Sequence, residues 1–212
     1  MNYKTYLFDF DYTLADSSRG IVKCFRIVLT RHQYLTVTDE AIKRTIGKTL
    51  EESFSILTGV TDPAQLAAFR QEYRQEADIH MNVNTCLFPD TLSTLTALKK
   101  QGAHIGIIST KYRFRIVSFL EKYMPEDFLD IGVGGEDVKA AKPSPEGVLF
   151  ALEHLGSAPQ ETLYIGDSTV DAETACNAGV DFAGVLNGMT TAEELQAYPH
   201  KIIMRNLEEL VR

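Results

Sequence analysis

The types and spacing of a few polar residues say most about this chain. Asp9 and Asp11 end an apolar run, one Phe apart, with Thr13 just beyond. Ser109 and Thr110 close a second apolar run and are followed by Lys111. Lys142 follows a third, and Asp167 and Asp171 follow a fourth. Carboxylates, hydroxyls and a lysine gathered in one place suit a phosphate site. Hard oxygen ligands such as Asp9, Asp11 and Asp167 match Mg2+, which binds through a few carboxylates plus phosphate oxygens. A carboxylate can also attack phosphorus and split the transfer into two steps, while a neighbouring one carries the proton. A hydroxyl such as that of Ser109 and a fixed ammonium such as that of Lys142 stabilise the charge that develops.

Each piece also has a plainer reading. Asp9 and Asp11 suit a turn or a cap, and Asp167 and Asp171 suit the N-terminus of the next helix. Ser109 and Thr110 suit the cap of a helix near Tyr112, and Lys142 suits a solvated loop. A calcium loop starting at Asp9 fails, because its sixth position is Leu14 and its twelfth Gly20, where Gly and Glu are required. "GKT" at residues 47–49 is no nucleotide-binding P-loop: Ile42 stands where the first glycine belongs, and no strand precedes it. The five histidines form no metal-ligand pattern.

Such residues converge only if strands position them. The apolar runs 5–10, 104–109, 128–133, 162–166, 181–186 and 201–204 alternate with helical patterns, which predicts an α/β fold with a parallel sheet. In such sheets ligands bind beyond the carboxyl ends of the strands, where the polar residues lie. Ser144 and Pro145 read as the start of a helix with Val148, Leu149, Leu152 and Leu155 on one apolar face before Gly156. The helix after Asp171 is expected to stop at Gly179. Residues 15–81 break the alternation, showing only helical spacing, as in Ile21, Phe25, Val28 and Leu29, and again in Leu66, Phe69 and Tyr73. That interval is too long for an ordinary crossover. It is read as an inserted all-helical domain over 15–81, with 1–14 and 82–212 forming the core.

Composition narrows the partners. The net charge is −8, without a Lys/Arg block, which argues against nucleic acid and means that an anionic ligand needs local donors or a cation. No run reaches the roughly 18 apolar residues of a membrane span, and the aspartates near the N-terminus interrupt any secretory apolar region, so the expected location is the cytoplasm. The three cysteines are odd in number and far apart, and are read as buried free thiols.

In order and spacing, "DFDYTLADS", "IIST", "KPSPE" and "GDSTVD" resemble the four motifs of the haloacid dehalogenase-like hydrolases, and "VGGEDV", "ACNAG" and "GVLNGMTTAEEL" extend the similarity over nearly the whole chain. The resemblance implies a Rossmann-like core with a helical cap. It implies Asp9 as nucleophile, Asp11 as general acid/base that gives only its backbone carbonyl to Mg2+, Ser109 as phosphate-binding hydroxyl and Lys142 as the third-motif lysine. It implies Asp167 as a metal ligand and Asp171 as a second acidic position supporting the metal. The second aspartate favours phosphate chemistry over carbon–halogen cleavage. "DSSRGIVKCF" and "TIGKTLEESF" look most like phosphoglycolate phosphatases and their relatives, which include pyrophosphatases. The expectation is therefore a Mg2+-dependent phosphatase for a small phosphorylated metabolite, monomer or homodimer. Thr13, Thr110, and Gly47 and Lys48 from the cap are the expected substrate-binding residues. "STK" stands where those relatives commonly have Thr-Asn-Lys. A sugar-phosphate mutase and a silent phosphometabolite- or partner-binding module are the competing readings.

Overall fold

The computed structural model describes residues 2–211. The chain divides into two compact units, one made of Met1–Ala15 and Leu87–Arg212, the other of Asp16–Cys86. Between them the chain passes through two short strands, β2 (Ala15–Asp16) and β3 (Cys86–Leu87), which pair with each other.

The larger unit holds a six-stranded sheet in the order β5-β4-β1-β6-β7-β8. The strands are β1 (Thr5–Phe8), β4 (His104–Ile108), β5 (Ile131–Val133), β6 (Thr162–Gly166), β7 (Asp181–Val185) and β8 (Ile202–Met204). Every pairing is parallel. β1 sits centrally, with Leu7 in register with Gly106 on one side and Tyr164 on the other. The chain builds outward from β1 in one direction and then returns to build in the other, so the order reverses beside β1. Ligands of doubly wound sheets bind outside the strand ends at that switch.

Helices cover both faces. They are α5 (Thr91–Lys100), α6 (Arg113–Leu120), α7 (Glu146–Leu155), α8 (Thr169–Ala178) and α9 (Ala192–Gln196). Tyr6, Phe8, Ile105, Ile107, Leu163 and Ile165 pack on one face with side chains of α5 and α6. The alternate residues Leu7, Ile108, Tyr164 and Phe182 pack on the other with α7 and α8. Burial on both faces explains why these strands read as continuous apolar runs rather than alternating ones.

The smaller unit is helical: α1 (Ser18–Arg31), α2 (Asp39–Lys43), α3 (Leu50–Thr58) and α4 (Pro63–His80). Thr38, Thr49 and Asp62 each accept a backbone N–H of the following turn, and Pro63 occupies the first position of α4. Phe54 of α3 is enclosed by Phe25, Phe69 and Tyr73, with ring centroids 4.7, 5.2 and 6.3 Å away.

Several local expectations shift. The strand read over 128–133 begins only at Ile131, because Glu126–Phe128 forms a 3-10 turn. Pro145, not Ser144, holds the cap position of α7, and the Ser144 hydroxyl accepts the Glu146 N–H at 3.3 Å. Leu149 lies off the buried face of that helix and is exposed. Gly179 ends α8 at a φ of 69°, a conformation that costs a glycine little. All three cysteines are free, but only Cys24 is buried; Cys86 and Cys176 are exposed, contrary to expectation. Among the described residues, no helix is long and apolar enough to cross a membrane.

Candidate active site

The site grows from the carboxyl ends of β1, β4 and β6. Asp9 follows β1 directly, and its backbone N–H donates to the Ile165 carbonyl at 2.9 Å, so the ladder with β6 extends to this residue. Ser109 follows β4 and is tied in the same way to the Val133 carbonyl at 3.0 Å. Asp167 follows β6, and Asp171 lies in the first turn of α8. Adjacent parallel strands thus bring residues far apart in sequence to one rim.

Asp9, Asp167 and Asp171 are all buried, and each offers a carboxylate oxygen within 4.8 Å of the others. Lys142 lies among them: its ammonium donates to Asp9 Oδ1 at 2.7 Å, to Asp171 Oδ1 at 2.6 Å and to the Tyr164 hydroxyl at 3.2 Å. It is therefore no solvated loop lysine. Burial alone would lower its pKa, but the charges of Asp171 and Asp9 outweigh this and hold the ammonium well above its ordinary range. Burial pushes the Asp9 carboxyl up to about 7, opposed by Lys142 and reinforced by Asp171 and Asp11. Burial, then Asp171 and Asp9, also raise Asp167 well above the usual carboxylate range.

Asp171 is the most heavily bonded of the three. Its Oδ2 accepts the Ser168 N–H and hydroxyl at 3.1 and 2.6 Å, while Oδ1 accepts Lys142. The capping reading holds for this residue, since Ser168 and Asp171 form a reciprocal cap of α8. Tyr164 adds a buried hydroxyl 3.2 Å from both Asp171 Oδ1 and the Ile108 carbonyl. Burial raises its pKa well above the ordinary range, so it stays a phenol.

The residues fit a hard divalent cation. Three carboxylates share the cluster with a single lysine, and two of them are pushed upward by burial and mutual repulsion. A divalent charge on oxygen donors would relieve that repulsion. Asp9 and Asp167 are best suited to hold it, because Asp171 is already engaged by Lys142 and Ser168.

Asp11 stands apart. Its carboxylate is not in the cluster; Oδ1 lies 3.0 Å from the Lys111 ammonium. Ser109 Oγ accepts the Lys111 N–H at 3.3 Å, which leaves the hydroxyl proton available to an incoming oxygen. Thr110 is half-buried beside it. Thr13 is fully buried, and its hydroxyl has no hydrogen-bond partner among the described residues. Gly47 and Lys48 belong to the helical unit; Gly47 has a φ of 98°, and Lys48 pairs with Glu52 at 2.8 Å.

Four contributors carry little signal in the sequence. Lys111 was visible only as a charge after a strand, and Tyr164 was hidden inside an apolar run. Ser168 was hidden between two aspartates. The fourth, Gly188, lies after β7, where a Cβ would overlap the Asp167 carboxylate. Its only signal was the glycine in "GVLNG".

A doubly wound sheet with an acidic rim and a buried lysine defines a class of hydrolase. The family model described as haloacid dehalogenase-like hydrolase matches residues 6–185, and the chain belongs to that family. It is an enzyme of the phosphatase kind within it. Pyrophosphatase PpaX of Bacillus mycoides (strain KBAB4) is 30% identical over 211 residues, covering 100% of this chain and 96% of its own. A crystal structure described as a haloacid dehalogenase-like hydrolase from Bacteroides fragilis is 68% identical, with a TM-score of 0.97, and covers 99% of this chain and 100% of its own. One described as a phosphoglycolate phosphatase from Lactobacillus plantarum shares the fold, with a TM-score of 0.87 at 24% identity over 100% and 99% of the two chains.

Proposed function

We propose that the chain is a Mg2+-dependent phosphatase that hydrolyses a small, phosphoglycolate-like metabolite through an aspartyl-phosphate at Asp9, in the cytoplasm. The observation that carries this reading is the Lys142 ammonium held between Asp9 and Asp171. It orients the Asp9 carboxylate and keeps a positive charge beside the position where phosphoryl oxygens gather.

Asp9 attacks phosphorus as the bond from phosphorus to the leaving oxygen breaks, and Asp11 gives its proton to that oxygen. Asp11, now a carboxylate, takes a proton from water as the water oxygen attacks the phosphoryl group. The bond to Asp9 then breaks, releasing orthophosphate and restoring the carboxylate. Ser109 donates to a phosphoryl oxygen, and Lys142 balances its charge. Asp9, Asp167 and the Asp11 carbonyl would hold Mg2+, with Asp171 in support, and its charge would offset both the carboxylates and the phosphate. Residues 15–81 are assigned as the helical cap on the family resemblance. Thr13, Thr110, Gly47 and Lys48 are assigned to substrate binding on the family resemblance.

The named activity of the Bacillus relatives supports a second reading, hydrolysis of pyrophosphate by the same residues. Phosphate release from p-nitrophenyl phosphate tests both. It is expected to need Mg2+ and to vanish in Asp9→Asn. Undiminished turnover in that variant would sink the aspartyl-phosphate route.

A further inference from the structure

Lys111 has no role in the chemistry above, yet it is nearly as buried as Lys142. Its side chain is 8% exposed, and it reaches the one carboxylate of the rim that lies outside the acidic cluster. Its backbone is fixed on both sides: the N–H donates to Ser109 Oγ at 3.3 Å, and the carbonyl accepts the Gly135 N–H at 3.1 Å. Gly135 packs so tightly on the Thr110 carbonyl that a Cβ there would stand 2.5 Å from it. The ammonium therefore extends from a rigid base, 5.8 Å from the centre of the Phe10 ring.

Lys142 is committed to Asp9, Asp171 and Tyr164. Among the described residues, Asp11 is the only ion-pair partner of Lys111. We propose that Lys111 is a specificity residue: it rests on Asp11 in the free enzyme and takes a second anionic group on the leaving side of the substrate. This rests on the phosphatase reading, in which Asp11 touches the leaving oxygen. A hydrogen bond there spans about 2.7 Å, and the ammonium lies 3.0 Å from Asp11 Oδ1. Where Oδ1 is the oxygen that meets the leaving group, Lys111 comes within roughly 6 Å of the leaving oxygen. A carboxylate or phosphate two or three bonds beyond that oxygen meets it at hydrogen-bonding distance. A neutral leaving group leaves the lysine on Asp11.

The substrate class that follows is a phosphate ester or anhydride with a second anion close to the scissile bond. Two such anions, the carboxylate of 2-phosphoglycolate and the distal phosphate of pyrophosphate, are separated by assaying both. Lys111→Met and Lys111→Arg are compared with the wild type on these two substrates and on p-nitrophenyl phosphate. In Lys111→Met, the ratio of kcat/KM for the better dianionic substrate to that for p-nitrophenyl phosphate is expected to fall at least about tenfold, the usual scale for a lost charged contact. KM should carry most of the loss, and Lys111→Arg should restore part of the ratio.

An equal loss on all three substrates would show that Lys111 only positions Asp11, and would overturn the proposal. An unchanged ratio would overturn it too. Binding supplies a readout independent of turnover. In an Asp9→Asn background, calorimetry with 2-phosphoglycolate and with phenyl phosphate should show that Lys111→Met weakens the first more than the second. If the wild type releases no phosphate from any substrate, the phosphatase reading fails. The binding comparison still decides whether the anion subsite exists.

Discussion

Gly188 packs directly on the carboxylate of Asp167, so closely that any side chain at position 188 would occupy the space of Asp167 Oδ2. The loop after β7 thus contributes to the acidic rim through a missing side chain. A backbone that must approach another group this closely has few alternatives to glycine.

Gly188→Ala is accordingly expected to displace Asp167 and weaken divalent cation binding by about tenfold or more, the scale seen when a ligand-orienting partner is lost. Titration of the variant with Mg2+ or Mn2+ by calorimetry measures this without reference to activity. Affinity equal to that of the wild type would show that Asp167 is not held by this contact.

Lys142→Met removes the ammonium shared by Asp9 and Asp171, while keeping a side chain of similar length. Breaking a buried pair by deleting one partner typically costs about 3–5 kcal/mol, because the remaining charge stays buried and unpaired. Urea unfolding should show a loss of this order, together with loss of phosphate release. Added Mg2+ should recover stability but not turnover.

The loop that carries Lys142 is anchored by Glu146, whose two carboxylate oxygens accept the backbone N–H groups of Lys139 and Ala140 at 2.8 and 2.9 Å. These two bonds hold the carboxyl below its ordinary 4.5, against a smaller opposing effect of desolvation. A carboxyl depressed in the folded state stabilises the fold above its unfolded pKa, and that contribution is lost as pH falls through the folded value. Glu146→Gln should therefore differ most from the wild type near neutral pH, and the gap in Tm should narrow on acidification below 4.5. Thermal unfolding of both proteins across that range checks it; a gap that widens in acid contradicts the assignment.

Much of this protein is legible without coordinates, for identifiable reasons. The strands around Leu7, Ile107 and Tyr164 are buried on both faces, so they stand out as apolar runs. Gly179 and Pro63 mark helix ends through backbone restrictions that are local. Asp9, Ser109 and Asp167 could be singled out because a charge or hydroxyl at the end of a buried strand is conspicuous. Surface detail was less visible: nothing local distinguishes buried Cys24 from exposed Cys86, or Val148 from Leu149.

Only the tertiary structure decided which of these groups meet. The order β5-β4-β1-β6-β7-β8 is a matter of long-range pairing, and it sets the ends of β1, β4 and β6 side by side. That adjacency gives Lys142 to Asp9 and Asp171, and it leaves Asp11 to Lys111. It also turns Gly188, unremarkable in sequence, into the wall behind Asp167. By itself the sequence determined the elements and the kinds of chemical group at their ends, because both follow from local periodicity and residue type. The partnerships depend on distances of a few ångströms between strands far apart in the chain, which no local pattern encodes.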